Sequence, residues 1–125
     1  MKILITGNLG YVGSELIKFI QKINKKIEII GCDIRLYPKT YVKKIDYKIK
    51  KQLLKDYRDL NQNDLNDVYA IIHLATMSND PIGKLITSQT NKVNYLGVKK
   101  IVNLAKKCKV KKFIFASSCS VYGSA

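Results

Sequence analysis

The sequence lacks the long apolar runs and the biased composition that mark several classes of protein. None of its apolar stretches approaches the roughly 18 to 20 residues that a membrane-spanning helix requires. Only 7 Gly and 2 Pro occur among 125 residues, which excludes collagen-like and low-complexity chains. Apolar residues make up 46% of the chain, enough for a hydrophobic core. We therefore expect a soluble protein with one domain over residues 1–125.

Cysteine is also scarce, and the spacing of the cysteines matches no metal-binding motif. Cys32, Cys108 and Cys119 are odd in number and form neither CxxC nor another metal-ligand pattern. We expect no disulfide, no metal and a cytoplasmic, reducing compartment. The N-terminus begins like a signal peptide, but Thr6 and Gly7 limit its apolar stretch to three residues. We interpret this segment as a strand.

Acidic residues are few, which gives the chain a formal charge of +14 from 23 Lys plus Arg against 9 Asp plus Glu. Such a balance raises the possibility of nucleic-acid binding. However, 21 of the basic residues are Lys, whereas base readout and bidentate phosphate recognition favour Arg. The abundance of Lys, Ile and Asn is typical of A/T-rich codon usage. The charge therefore indicates a solvated surface, and we expect neither nucleic acid nor a membrane as a partner.

Apolar runs of strand length alternate with segments of helical period. The predicted strands cover residues 2–6, 27–33, 53–57, 68–74 and 112–116, and the predicted helices cover residues 12–23 and 90–108. The first helix places Leu16, Ile20 and Ile23 on one face. Residues 34–54 show a weak, Lys-rich pattern, typical of a loop and a short helix. The alternation predicts an α/β fold, a Rossmann-type doubly wound parallel sheet of about five strands.

Three glycines with GxxGxxG spacing follow the first strand and open the first helix. Gly7 permits a tight turn, Gly10 lets the backbone approach a pyrophosphate, and Gly13 lets the helix pack closely on the strand. The N–H groups at the helix N-terminus would then meet the phosphates. The pattern favours dinucleotide binding over its alternative, a purely structural turn.

An acidic residue completes this pattern 20 residues after Gly13. Asp33 ends the second strand, where a carboxylate can accept both hydroxyls of the adenosine ribose. It favours NAD over NADP, because a 2′-phosphate would meet a like charge. Arg35 lies close enough in sequence to leave NADP possible. The alternative for Asp33 is a solvated acidic residue at the end of a strand with no role in binding.

Two polar residues lie on otherwise apolar elements. Asn94 shares the apolar stripe of its helix with Val98, Ile101, Ala105 and Cys108, and a buried amide must be hydrogen-bonded. Gly97, inside the same helix, indicates a close approach to another backbone. His73 lies in a buried strand, so we expect it to be structural.

In these segments the chain resembles the NAD-dependent epimerase/dehydratase family, the extended short-chain dehydrogenases that act mostly on nucleotide sugars. The matching segments occur in family order and span nearly the whole chain: TGNLGYVG at 6–13, Asp33, DYRD at 56–59, HLA at 73–75, NYLG at 94–97 and FASSCSVYG at 115–123. The resemblance implies NAD as cofactor and a nucleotide sugar as substrate, and since family members often dimerise, it also points to a homodimer.

The resemblance also implies roles for individual residues. It assigns Asp56 to the adenine amino group, Ser118 to catalysis through its hydroxyl, and Asn94 to positioning of the active site. The other implied cofactor contacts are Gly7, Gly10, Tyr11, Val12, Gly13, Asp33, Tyr57, Leu74, Ala75, Thr76 and Ser117.

One expected catalytic element is missing from the sequence. Family members use a YxxxK pair after the serine, in which Lys lowers the pKa of Tyr so that phenolate can act as a base. The two matches here, Tyr47 with Lys51 and Tyr95 with Lys99, precede Ser118, and roughly 1.3 matches are expected by chance. We therefore expect the NAD-binding half of an epimerase or dehydratase, truncated before the C-terminal substrate region and not catalytic alone. The alternative is a non-catalytic NAD-binding sensor or interaction module.

Overall fold

A single parallel sheet organises the chain, as seen in a computed structural model that describes residues 1–36, 48–77 and 87–123. The strands are β1 (Lys2–Thr6), β2 (Glu28–Asp33), β3 (Lys51–Leu54), β4 (Val68–His73) and β5 (Lys112–Phe115). They lie in the order β3-β2-β1-β4-β5, and every neighbouring pair is parallel. The predicted doubly wound parallel sheet is confirmed.

Helices connect the strands. The first, α1 (Tyr11–Ile23), links β1 to β2. The segment before β5 comprises α2 (Thr87–Asn91), a π-helical stretch (Lys92–Gly97) and α3 (Val98–Lys107), and the 3-10 turns are Tyr57–Asp59, Gln62–Leu65 and Cys119–Tyr122. In the described part of the chain, no helix is long and apolar enough to cross a membrane.

The core lies on both faces of the sheet, because successive side chains of a strand point in opposite directions. Ile3 and Ile5 of β1 belong to a cluster with Ile17 of α1. Leu4, between them, belongs to a second cluster that includes Ile101 of α3. Helices therefore cover the two faces of the central strand, and β1 is buried on both.

The site is positioned by a reversal in strand order. From β1 the chain first moves to β2 and β3, and then returns to the other side of β1 for β4 and β5. At the carboxyl end of β1, Thr6 is in register with Cys32 of β2 and His73 of β4. Open α/β sheets bind ligands at such a switch point, in the crevice outside the carboxyl ends of the strands.

Some sequence-based boundaries were wrong. The third strand does not extend over 53–57, because Asp56 accepts a hydrogen bond from the Arg58 N–H (2.8 Å) and begins a 3-10 turn. The helix predicted over 90–108 is confirmed, although a π-helical stretch interrupts it and helical structure is already present at Thr87. The loop and short helix expected in 34–54 fall largely outside the described residues.

The buried face of α1 also differs from the expected stripe. Ile17 is fully buried, whereas Leu16 and Ile20 are half-buried and Ile23 is 67% exposed. Ile23 is the last residue of α1, so its side chain extends past the sheet that covers Ile17. The apolar face of α1 is therefore centred on Ile17, one residue away from the predicted line.

Candidate functional site

A tight turn after β1 forms one wall of the site. Gly7 has φ +70°, and its N–H donates to the Cys32 carbonyl (2.8 Å) at the end of β2. A Cβ at Gly7 would lie 2.8 Å from the backbone nitrogen of Ala75, which follows β4. Only glycine combines this positive φ with so close an approach.

The same turn starts α1. Gly10 is its N-cap, and among the described side chains none caps this end of the helix and no acidic residue lies in its first turn. A Cβ at Gly13 would lie 2.6 Å from the Asn8 Cα, so α1 packs directly on the turn. The backbone N–H groups of the first turn therefore present positive charge with no acidic side chain in that turn, which suits an anionic group.

Asp33 joins this turn to the end of β2. One carboxylate oxygen accepts from the Leu9 N–H (3.1 Å), and the other accepts from the Arg35 N–H (2.7 Å). The side chain is half-buried, and each oxygen has a further lone pair for a ligand hydroxyl. Asp33 is thus oriented by two backbone donors before any ligand arrives.

A cavity of about 280 Å³ lies between these elements. Its lining includes most of the predicted cofactor contacts: Gly7, Gly10, Tyr11, Asp33, Asp56, Tyr57, Leu74, Ala75 and Thr76. Arg35, which kept NADP open as an alternative in the sequence, also lines the cavity, and the sequence had not indicated the rest of the lining: Leu9, Cys32, Ile34, Leu36, Lys55, Met77 and Val93. Segments far apart in sequence therefore meet at the switch point of the sheet.

Other predicted site residues do not line this cavity. Val12 is 61% exposed, and Gly13 is buried under the turn. Ser117 and Ser118 are exposed and follow β5, so they lie at the same carboxyl edge of the sheet as the cavity but not in its lining. Asn94 contributes indirectly, through Met77.

Asn94 holds the segment that follows β4. Its side-chain oxygen accepts from the Met77 N–H (2.8 Å), and its side-chain nitrogen donates to the Met77 carbonyl (2.8 Å). The prediction that this amide is hydrogen-bonded is confirmed. By fixing Met77, Asn94 restrains the backbone that brings Leu74, Ala75 and Thr76 to the cavity.

Asp56 lies on the cavity wall in an ion pair. Its two oxygens accept from the Arg58 guanidinium, from Nε at 3.0 Å and from a terminal nitrogen at 2.7 Å. These hydrogen bonds hold the pKa of Asp56 below its ordinary value. The carboxylate is therefore ionised near neutral pH and can accept a hydrogen bond from a ligand amine.

Tyr57 packs beneath the π-helical stretch. Its hydroxyl donates to the Val93 carbonyl, and burial raises the pKa of Tyr57 to about 12. A Cβ at Gly97 would lie 2.9 Å from the Tyr57 Cζ. The close approach predicted at Gly97 is confirmed, but its neighbour is this aromatic side chain and not another backbone.

Thr6 and His73 connect β1 to β4 below the cavity. The Thr6 hydroxyl oxygen lies 2.8 Å from His73 Nδ1, and the N–H groups of Leu74 and Ala75 both donate to it (3.3 Å each). The Thr6 hydroxyl therefore connects the imidazole and the backbone after β4 to the end of β1. Burial lowers the pKa of His73 to about 4, so the ring is neutral.

Two further groups at the site were not identified from the sequence. Cys32 lines the cavity, but burial raises the pKa of its thiol to about 12, so it is not a reactive thiolate. Asn8 is fully buried in the glycine turn and pairs with Gln52 of β3. Gly31 was the available signal, since a glycine inside a strand marks a close approach.

The described residues include no group of three or more His, Cys, Asp or Glu side chains placed to hold a metal ion. The cavity brings together backbone N–H groups at a helix N-terminus, which suit an anion, and two carboxylates, Asp33 and Asp56.

Comparison with known proteins agrees with this geometry. The model of the 3-beta hydroxysteroid dehydrogenase/isomerase family matches residues 4–125. The dTDP-D-glucose 4,6-dehydratase of Dictyostelium discoideum is 31% identical over 98% of this chain and 30% of its own length. The bifunctional protein GAL10 of Candida maltosa is 30% identical over 96% of this chain and 83% of its own length.

A solved structure shows the same fold. The NAD-dependent NDP-hexosamine 5,6-dehydratase TunA, from tunicamycin biosynthesis, superposes with a TM-score of 0.87 at 26% identity, over all of this chain and 40% of its own length. The chain thus spans less than half of this enzyme and of the Dictyostelium dehydratase. The chain belongs to the 3-beta hydroxysteroid dehydrogenase/isomerase family, whose model matches residues 4–125, and it resembles the NAD-dependent epimerases and dehydratases, as its sequence motifs predicted.

Proposed function

We propose that the chain binds NAD in the cavity at the switch point and is the cofactor-binding part of a nucleotide-sugar epimerase or dehydratase. One observation carries this proposal. The glycine turn and the Asp33 carboxylate face one cavity and are joined by the hydrogen bond from Leu9 to Asp33. The names of the relatives, dehydratases of dTDP-D-glucose and of an NDP-hexosamine, support a nucleotide sugar as the substrate.

The residues present fit such a cofactor. The uncapped N-terminus of α1, which begins at Tyr11, would hold the diphosphate, since the Gly7, Leu9 and Gly10 N–H groups already bond within the turn and to β2. Asp33 would accept hydrogen bonds from the hydroxyls of the adenosine ribose, and Asp56 would accept a hydrogen bond from the amino group of adenine. When bound, NAD supplies a group that takes a hydride from the sugar and returns it.

Other residues would act on the substrate side. Ser118 lies just beyond β5, and its hydroxyl would donate a hydrogen bond to a sugar oxygen and accept one from it during proton transfer. Asn94 would act as a positioning residue through its two hydrogen bonds to Met77. Since no YxxxK pair follows Ser118 within the 125 residues, we propose that these residues alone bind the cofactor without turnover.

The remaining partners are part of the same proposal. We propose a homodimer in a cytoplasmic, reducing setting that suits the free thiols Cys32 and Cys108, and no role for nucleic acid or a membrane. If the chain makes no contacts with the phosphates of DNA, its retention on a DNA column should not change with salt concentration.

Calorimetric titration of the purified chain with NAD and with NADP tests the function. We expect saturable NAD binding and weaker NADP binding, because a 2′-phosphate would be placed against Asp33. A folded chain that binds neither dinucleotide contradicts the proposal. NAD binding with no change in any nucleotide sugar supports binding without turnover, and measurable epimerisation or dehydration contradicts it.

Replacing Asp33 by asparagine is expected to weaken NAD binding about tenfold, or about 1.4 kcal/mol, since asparagine keeps one acceptor oxygen but loses the charge that strengthens its hydrogen bonds. The variant should bind NADP better relative to NAD, because the repulsion is gone. Asp59→Asn removes the same charge from an exposed position outside the cavity lining and serves as the matched control. Equal NAD affinity in the two variants would exclude Asp33 from the ribose site.

A further inference from the structure

A buried pair of side-chain amides holds the glycine turn from below. Asn8, between Gly7 and Leu9, is fully buried. Its side-chain nitrogen donates to Gln52 Oε1 (2.8 Å), and the Gln52 side-chain nitrogen donates back to Asn8 Oδ1 (3.1 Å). We call these two residues the amide pair. Each amide thus both donates to and accepts from the other, which fixes their relative orientation.

The amide pair crosses a strand. Gln52 is in β3, opposite Gly31 of β2, and Gly31 is opposite Ile5 of β1. A Cβ at Gly31 would overlap the Asn8 amide and would lie 2.6 Å from Gln52 Oε1. The glycine in the middle of β2 therefore leaves the space that the amide pair occupies, and the three residues form one structural unit.

The turn is fixed at three consecutive residues. The Gly7 N–H donates to the Cys32 carbonyl, the Asn8 side chain bonds to Gln52, and the Leu9 N–H donates to Asp33. The first and third of these bonds lead to the end of β2. Only the amide pair extends the connection to β3, among the described hydrogen bonds of these three residues.

Neither member of the amide pair lines the cavity. Any effect of the pair on a ligand must therefore pass through the backbone of the turn, whose next N–H is the one that orients Asp33. Hydrogen bonds are directional, so the pair restrains the position of the turn in a way that an apolar side chain of equal size would not.

We infer that Asn8 and Gln52 are positioning residues for cofactor binding, which keep the glycine turn and Asp33 at a fixed separation. This inference rests on the proposed NAD site for its functional consequence. Its structural part, the ordering of the turn by the amide pair, holds in the chain without any ligand and can be measured there.

Gln52→Met tests the inference, because methionine preserves the length and approximate volume of the side chain but forms no comparable hydrogen bonds. We expect about tenfold weaker NAD binding. In the ligand-free variant we also expect hydrogen exchange at the Leu9 amide to speed up about tenfold more than at the amide of Ile71 in the core of β4, which reports the loss of global stability. Calorimetry and amide exchange followed by NMR give the two readouts.

Asn61→Ala is the matched control. Asn61 caps the Gln62–Leu65 turn by accepting from the Asn63 and Asp64 N–H groups, so its loss also destabilises the chain but leaves the glycine turn intact. The inference is overturned if Gln52→Met and Asn61→Ala show the same hydrogen-exchange rate at the Leu9 amide and the same affinity for NAD. If the unaltered chain binds no NAD, the proposed function fails, while the Leu9 exchange rate still decides whether the amide pair orders the turn.

Discussion

Replacing Gly7 by alanine is expected to reduce the free energy of unfolding by about 2–5 kcal/mol, a large fraction of the stability of a domain this size. Two costs combine. The φ of +70° is unfavourable for a residue with a Cβ by about 1–2 kcal/mol. The Cβ would also lie 2.8 Å from the Ala75 nitrogen and 3.0 Å from the Leu74 carbonyl carbon, and overpacking typically costs about 1–3 kcal/mol.

Gly123→Ala separates the two costs. Gly123 has a similar φ of +78°, but a Cβ there would meet no atom within 4 Å. It should therefore show at most the backbone cost of about 1–2 kcal/mol. Urea unfolding of both variants, followed by circular dichroism, measures the difference. Equal losses at Gly7 and Gly123 would mean that the backbone after β4 does not constrain the turn.

A third replacement addresses ligand binding. Gly10 has an ordinary φ of −74°, and its Cβ would lie 3.3 Å from the Gly7 carbonyl oxygen, close enough to require only a small shift. Gly10→Ala should therefore fold while placing a methyl group where the turn faces the cavity. The three glycines of one motif thus serve different ends, two of them in packing and one in access to the cavity.

The sequence predicted the strands of the sheet because buried parallel strands are apolar runs with distinct ends. It also predicted that the glycine turn and Asp33 lie together, since they mark the carboxyl ends of two of those strands, and both line the observed cavity. It failed at the third strand, where local capping by Asp56 ended the strand earlier than the apolar pattern indicated.

The supporting contacts could not be predicted because they join residues distant in sequence. Asn8 reads as a turn residue and Gln52 as an exposed polar residue, and only the strand order places them together. Asn94 was identifiable because its own helix shows the apolar stripe, but its partner Met77 was not. The periodicity of apolar residues along one helix or strand predicts that a buried polar group needs a hydrogen-bond partner. The identity of that partner depends on the order of the strands and helices in the fold.

Acidification below pH 6.5 is expected to destabilise the chain through His73. The ordinary pKa of histidine is 6.5, and burial lowers the pKa of His73 to about 4. Between these values the unfolded chain binds a proton that the folded chain does not. The stability that the neutral ring contributes is therefore complete above pH 6.5 and is lost as pH falls toward 4. The total loss is about 3 kcal/mol.

The window belongs to His73 because it is the only histidine in the sequence. The pKa values of Asp56 and Asp64 lie below their ordinary 3.8, held down mainly by hydrogen bonds from Arg58 to the first and from Lys55 to the second, so their contributions are lost only at lower pH. Urea unfolding at pH 7 and pH 5 should differ by about 2 kcal/mol.

His73→Asn provides the control. Asparagine can still form a hydrogen bond with the Thr6 hydroxyl near the position of Nδ1, but it does not titrate in this range. The variant should be less stable at pH 7, since it loses the ring contacts with Tyr57 and Phe115. Between pH 7 and pH 5 its stability should stay nearly constant, so that the pH dependence and the packing loss separate. If the variant keeps the full difference of about 2 kcal/mol, the acid sensitivity arises from other groups, and the buried imidazole is solvated or protonated in the folded chain.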